Sequence, residues 1–217
     1  MFCHVLLADE INRTTPRTQS ALLQAMEEHQ VTLDGTTHEL PDPFFVIATQ
    51  NPLEHHGTYP LPESQMDRFL MRISMGYPHR EAERELIAAQ DGERPLERMQ
   101  AVITPELLAE ARKSVENVRV DDALVDYLLR IIEATRQHPD LSLGASPRAG
   151  LALGRAARSA AFLAQREFVV PDDIKSYAAP VLAHRMIPTE PTADPAADRD
   201  QARAVLAELL EQIPVPV

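Results

Sequence analysis

Val5-Leu6-Leu7-Ala8-Asp9-Glu10 constrains the fold of this chain more than any other stretch. Four consecutive apolar residues without alternation read as a short strand buried on both faces, the kind found in parallel sheets covered by helices. Two adjacent carboxylates close it. A second run, Phe44-Phe45-Val46-Ile47-Ala48-Thr49, has the same character and ends in Gln50-Asn51-Pro52. Between the two runs, Thr14-Thr15-Pro16 predicts a helix start with proline at the first helical position. Ala21, Leu22, Ala25 and Met26 form its packed face, with Gln24, Glu27 and Glu28 outward. The stretch from Gln30 to Leu40 predicts a β-hairpin on Asp34-Gly35, because a type I′ turn needs positive φ at both central residues. A Pro-rich loop reaches Pro62, a short helix covers Glu63 to Phe69, and Leu70 to Ser74 reads as a third strand. Buried strands need neighbours and helices on both faces, so this segment reads as half of a doubly wound sheet.

After Gly76-Tyr77-Pro78 the pattern turns helical. Helices are expected from Arg80 to Gln90, from Thr104-Pro105 to Glu116, and from Val120-Asp121 to His138, the last with Leu124, Tyr127, Leu128 and Ile131 on one face. Ser146-Pro147 opens an alanine-rich helix to Gln165, Pro171-Asp172-Asp173 another to His184, and a final amphipathic helix runs from Ala197 to Gln212. The expected fold is therefore an α/β core with a parallel sheet followed by an all-α unit. Its divisions are a partial core at 1–76, a linker and helix at 77–100, a helical domain at 101–187, and a Pro-containing linker with a terminal helix at 188–217. The helical domain is expected to be the stable unit, and the strand ending at Asp9 to leave an apolar edge that favours association.

Composition limits the function classes. The chain has 217 residues, with 33 acidic against 21 basic side chains and a formal charge of -12. Such a chain is repelled by phosphate backbones and anionic lipid, so neither nucleic-acid binding nor membrane insertion is expected. No apolar run approaches the roughly 20 residues that span a bilayer. The N-terminus lacks a basic region before its apolar run, so it does not read as a signal peptide. A single cysteine, Cys3, excludes an internal disulfide and reads as a small core residue; a reducing cytoplasm is the expected compartment.

Five residues carry chemistry. Asp9 and Glu10 emerge at the C-terminal end of a strand, where open α/β sheets bind ligands. Two adjacent carboxylates repel unless a cation or proton intervenes; Mg²⁺ on one, with the other acting on a water, resolves this in the manner of phosphoryl-transfer sites. A solvated strand end with Glu10 capping the next helix remains the alternative. Asn51 sits at the same sheet edge if the two strands are neighbours, where its amide can position a water or a phosphate oxygen; taken alone, Asn-Pro turn chemistry is the stronger explanation. Arg68 can stabilise a transferring phosphoryl group, or pair on the surface with Asp67 or Glu63. Arg148 lies in the first turn of a helix, where a cation opposes the helix dipole and suggests an anionic partner, though the chain has many surface arginines. His55-His56 read as loop histidines rather than metal ligands.

Together these residues resemble the MoxR family of AAA+ ATPases. Val5 to Arg13 is similar to the family's Walker B strand and the turn after it, and Thr18 to Glu28 to the following helix. Val31-Thr32-Leu33-Asp34-Gly35 resembles the hairpin before sensor 1, and Ile47-Ala48-Thr49-Gln50-Asn51-Pro52 resembles sensor 1 itself. The stretch from Gly57 to Phe69 is similar to the arginine-finger segment, and Leu143-Gly144-Ala145-Ser146-Pro147-Arg148 to sensor 2 at the start of a lid helix. The resemblance implies a partial P-loop NTPase core with a helical lid, and ATP and Mg²⁺ as cofactors. By the same resemblance Asp9 helps hold Mg²⁺, Glu10 polarises the attacking water, and Asn51 aligns that water or the γ-phosphate. Arg68 reaches the ATP of an adjacent subunit, and Arg148 contacts phosphates from the lid. It also implies a homo-oligomeric ring, chaperone-like remodelling or maturation of partner proteins, and partners bearing a von Willebrand factor A domain.

One departure stands out. A P-loop needs a Gly-rich backbone followed by Lys and Ser or Thr. Lys113-Ser114 and Lys175-Ser176 are the only such pairs, and no glycine precedes either within the loop's length. The expectation is that about the first hundred residues of a family member are missing and that the isolated chain is inactive. The alternative is a non-catalytic AAA+ remnant that binds partners. A nucleic-acid motor is a third, weaker reading, opposed by the acidic charge balance.

Overall fold

The computed structural model describes residues 2–51, 59–88, 98–192 and 194–216. The strands β1 (Val5–Ala8) and β4 (Phe45–Ala48) lie side by side in parallel, in register from Val5↔Phe45 to Ala8↔Ala48. The helix between them, α1 (Pro16–Glu28), starts as the sequence indicates: Pro16 takes the first helical position and the Thr15 hydroxyl accepts from the Thr18 N–H at 3.4 Å. It buries Gln19, Leu22, Leu23 and Ala25 against one face of the strand pair, alongside Leu6, Ala8, Val46 and Ala48. Ala21, expected on that face, is exposed instead.

The expectation of strands buried on both faces is overturned. Side chains alternate across a strand, and α1 covers only the even-numbered set of β1 and its matches on β4. Val5 (54% exposed), Leu7 (62%), Phe45 (54%) and Ile47 (46%) project from the opposite face with nothing over them among the described residues. Cys3 is likewise half-buried rather than core.

The hairpin forms where Asp34-Gly35 places it. Strands β2 (Gln30–Leu33) and β3 (Thr36–Glu39) pair antiparallel, with φ of 50° at Asp34 and 79° at Gly35. The helix expected to reach Phe69 is a single turn, α2 (Glu63–Met66), continued by a turn in which Phe69 N–H donates to Met66 O at 3.1 Å. Residues 70–74 are not a strand. No strand edge lies beside them among the described residues, and Arg72 N–H donates instead to Pro180 O at 2.8 Å.

The remainder is helical: α3 (Arg80–Ala88), α4 (Pro105–Glu116), α5 (Asp122–Gln137), α6 (Pro147–Leu163), α7 (Pro171–Leu182) and α8 (Pro195–Gln212). The two residues expected to extend α3, like residues 52–58 of the Pro-rich loop with His55-His56, lie outside the described residues. Side chains of Thr104, Asp121, Ser146 and Asp194 cap four of these helices by accepting backbone N–H groups, the usual use of such residues. Ala149, Ala152, Ala156, Ala157 and Ala161 give α6 a smooth buried face. Tyr127 and Ile131 of α5 and Ile174, Val181 and Leu182 of α7 belong to the same core. The terminal helix packs onto the others. Ala202, Val205, Leu206 and Leu209 of α8 fill that core, because the helix is amphipathic and its apolar stripe needs cover. An unexpected strand pair, β5 (Leu141–Leu143) with β6 (Ile187–Pro188), ties the α5–α6 connection to the start of the final segment. No described helix is long and apolar enough to cross a membrane.

Candidate functional site

The parallel register brings the ends of β1 and β4 to one edge, with Asp9 and Glu10 following Ala8 and Asn51 three residues beyond Ala48. Thr49 stitches the two ends together. Its N–H donates to Ala8 O and its carbonyl accepts from Ile11 N–H, both at 3.0 Å. Its hydroxyl donates to Asp9 Oδ1 at 2.5 Å and accepts from Glu10 N–H at 2.9 Å. Glu10 adopts a left-handed conformation (φ 49°, ψ 54°), which a non-glycine residue holds only when its surroundings impose it. Its Oε2 lies 3.1 Å from Arg13 Nε. Behind this edge, buried Gln19 donates through Nε2 to Ile11 O at 3.1 Å and Tyr59 O at 2.9 Å, fixing the turn after Glu10 against the chain that re-emerges at Tyr59.

Among the described residues no three His, Cys, Asp or Glu side chains converge as a metal cage. Mg²⁺ keeps most of its waters and takes one or two protein carboxylates plus substrate phosphates. Asp9, at a strand end and oriented by the Thr49 hydroxyl, has the chemistry for that part.

Arg68 and Arg148 lie elsewhere, and together. Glu27, near the end of α1, takes Arg148 Nη1 on Oε1 at 2.5 Å and pairs with Arg68 Nη1 through Oε2. Asp67, a surface partner for Arg68 in the sequence reading, is engaged otherwise: Oδ1 is 3.0 Å from Arg185 Nε, and the Ser146 hydroxyl donates to its carboxylate at 3.1 Å. Arg185 is buried and donates to Asp67 O (3.1 Å), Phe69 O (2.6 Å) and Val181 O (3.0 Å). Burial pushes its guanidinium below the ordinary arginine value, and Arg148's charge adds to this while Asp67 opposes it. His184 beside it donates through Nε2 to Phe69 O at 3.3 Å. Burial foremost, then the charge of Arg185, lowers its pKa to about 4. The turn carrying Arg68 is thus fastened to the helical unit through Asp67, Ser146 and Arg185. A cleft of about 520 Å³ opens beside this junction, lined by Glu63, Asp67, Arg136, Gly144, Ser146 and Arg185.

Sequence reasoning missed Thr49, Glu27 and Arg185. Thr49 carried a usable signal, a hydroxyl residue closing an apolar strand. Glu27 was read as an outward helix residue, and Arg185 as nothing in particular, since one arginine among nineteen does not declare that it is buried.

Residues 1–71 match the model of the ATPase family associated with various cellular activities (AAA), and residues 133–209 match that of the AAA lid domain. The chain is 48% identical over 214 residues to the Bacillus subtilis protein YeaC, covering 99% of this chain and 66% of that protein. It is 43% identical over 220 residues to chaperone MoxR1 of Mycobacterium tuberculosis, covering 97% of this chain and 57% of that one. The chain therefore spans less than two thirds of the length of these relatives. A crystal structure of a Cytophaga hutchinsonii protein assigned as an ATPase superposes with a TM-score of 0.86 at 35% identity, over 100% of this chain and 67% of that one.

Proposed function

The chain belongs to the MoxR family of AAA+ ATPases, and from that premise we propose that it supplies one wall of an ATP-hydrolysing site in a homo-oligomeric ring. The ring remodels or matures partner proteins in the cytoplasm, and proteins bearing a von Willebrand factor A domain are the proposed partners. The observation that supports this reading most is the Thr49 link between the ends of β1 and β4, which draws Asp9, Glu10 and the approach to Asn51 to one sheet edge. Asp9 would help hold Mg²⁺, which when bound would offset phosphate charge. Glu10 takes a proton from the attacking water after its carboxylate leaves Arg13. Asn51 orients that water or a γ-phosphate oxygen by hydrogen bonding. Arg68, reaching the ATP of an adjacent subunit, and Arg148, approaching from the lid, place positive charge where negative charge develops on phosphate oxygens.

No Gly-rich loop followed by Lys-Ser or Lys-Thr stands among these 217 residues. The chain by itself is therefore proposed to hydrolyse no ATP. Phosphate release by the protein expressed from its whole gene tests the reading. Glu10→Gln is expected to slow turnover by about 10²–10⁴, the usual worth of a positioned general base, with nucleotide affinity retained. Turnover unaffected by Glu10→Gln overturns the assignment. Absence of turnover in a protein that still binds partners favours the non-catalytic remnant.

A further inference from the structure

We propose that Glu27 is a built-in carboxylate that occupies the guanidinium groups of Arg68 and Arg148, assigned to phosphate above, until phosphate displaces it.

Three remote parts of the chain build the cluster: the last turn of α1, the turn after α2, and the first turn of α6. Glu27 and Arg148 are 121 residues apart, so their meeting is no by-product of helical spacing. Each carboxylate oxygen serves one guanidinium. Two cations share one anion, and the nearby Asp67 is committed to Arg185 and Ser146. A net positive charge is left at the cluster. Arg148 adds to the demand for an anion, because it sits just inside the Ser146 cap, where the helix dipole is already positive.

The contact is also exchangeable. The side chains of Arg68, Arg148 and Glu27 are 32%, 48% and 30% exposed, so water and solutes reach them. Ion pairs of this exposure are weak and readily exchanged. A terminal phosphate carries more charge than a carboxylate and has three acceptor oxygens for the planar guanidinium fork. Each arginine meets Glu27 through Nη1, and a guanidinium has further N–H donors with which to take phosphate as the carboxylate leaves.

Position identifies the source of the phosphate. Glu27 lies eleven residues beyond Pro16 on α1, about 16 Å along the helix axis from the end next to Asp9 and Glu10. The arginine pair thus stands away from the acid pair of its own chain, and its phosphate comes from a nucleotide held by another subunit. That last identification rests on the ring reading above. The exchange of carboxylate for phosphate does not.

The test is calorimetric titration of this chain with inorganic tripolyphosphate at low ionic strength. Glu27→Gln keeps the size of the side chain but removes the competing charge. It is expected to tighten binding roughly fivefold, and Arg68→Ala or Arg148→Ala in that background abolishes the gain. A Glu27 serving only the fold predicts unchanged or weaker binding, and either result overturns the proposal. The wild-type chain gives the same answer without a variant: the Glu27 carboxyl carbon resonance moves toward its free-carboxylate position as tripolyphosphate is added. A resonance that stays put while phosphate binds, or no binding at all, refutes the exchange. In a further arm, ATP binds as tightly as tripolyphosphate if only the phosphate end is read. Tighter binding of ATP, or much tighter binding of long polyphosphate, overturns the assignment to a neighbour's nucleotide. Failure of the ATPase reading shows separately, as absent turnover with the tripolyphosphate response intact.

Discussion

Replacing Arg185 with methionine removes the guanidinium that fastens the Arg68 turn to the helical unit while keeping an apolar side chain in its place. The arginine side chain is 3% exposed and Asp67 is 24% exposed. Its loss leaves the carbonyls of Asp67 and Phe69 and the Asp67 carboxylate without their charged donor. Removing one partner of a buried ion pair costs about 3–5 kcal/mol. Asp67 lies near enough to solvent to be partly rehydrated, which favours the lower end. Burial of the guanidinium is itself unfavourable, as its lowered pKa direction shows, and methionine avoids that cost. The net expectation is about 2–3 kcal/mol, or a drop of about 1 M in the urea midpoint for a slope of about 2–3 kcal/mol/M. Asp67→Asn added to Arg185→Met should recover about 1 kcal/mol, because a neutral amide is less costly to leave unpaired than a carboxylate. Urea unfolding followed by circular dichroism reads both. A methionine variant within 0.5 kcal/mol of wild type, to within about the usual spread for surface changes, refutes the ledger, as does a double variant no more stable than the single one.

Three further outcomes follow from the same region and the sheet edge. The folded-state pKa of His184, about 4 against 6.5 for the unconstrained ring, means the unfolded chain takes up a proton in that window and the folded one does not. Its contribution is therefore intact above pH 6.5, declines as pH falls, and is lost below about pH 4, a swing of about 3 kcal/mol. His184→Gln should flatten the stability profile across that window, and an unchanged slope would count against the assignment. Gly144→Ala drives a methyl group to 2.6 Å from Arg136 N and from the Thr135 carbonyl. Thermal melting should show a loss of about 1–3 kcal/mol, and an unchanged midpoint would mean that the close approach relaxes freely. At Glu10 (φ 49°), glycine should stabilise the fold by up to about 1 kcal/mol and valine should destabilise it, whereas equal stabilities in urea unfolding would show that the left-handed conformation stores no strain.

Elements defined by near neighbours in the chain were legible without a structure. Pro16 after Thr15, Pro105 after Thr104 and Pro147 after Ser146 start helices because a proline at the first turn and a hydroxyl before it satisfy purely local geometry. Asp34-Gly35 makes its hairpin for the same reason. The apolar runs of β1 and β4 declared themselves as strands, and the sequence resemblance carried Asp9, Glu10, Asn51, Arg68 and Arg148 as candidates. It could not say what each one touches.

What lay beyond sequence reading was every choice between partners far apart in the chain. Residues 70–74 have a strand's composition, yet a strand exists only where an edge accepts it, and Arg72 found the end of α7 instead. The terminal helix was legible as amphipathic, but only packing shows that its stripe of Val205, Leu206 and Leu209 completes the helical core. The pairing of Arg68 and Arg148 on Glu27, and of Asp67 on Arg185, depends on how the α/β segment docks against the helices. Local sequence settles backbone conformation because its causes act within a few residues. Charge pairing and burial are settled by the packing of remote elements, and only the tertiary structure holds that information.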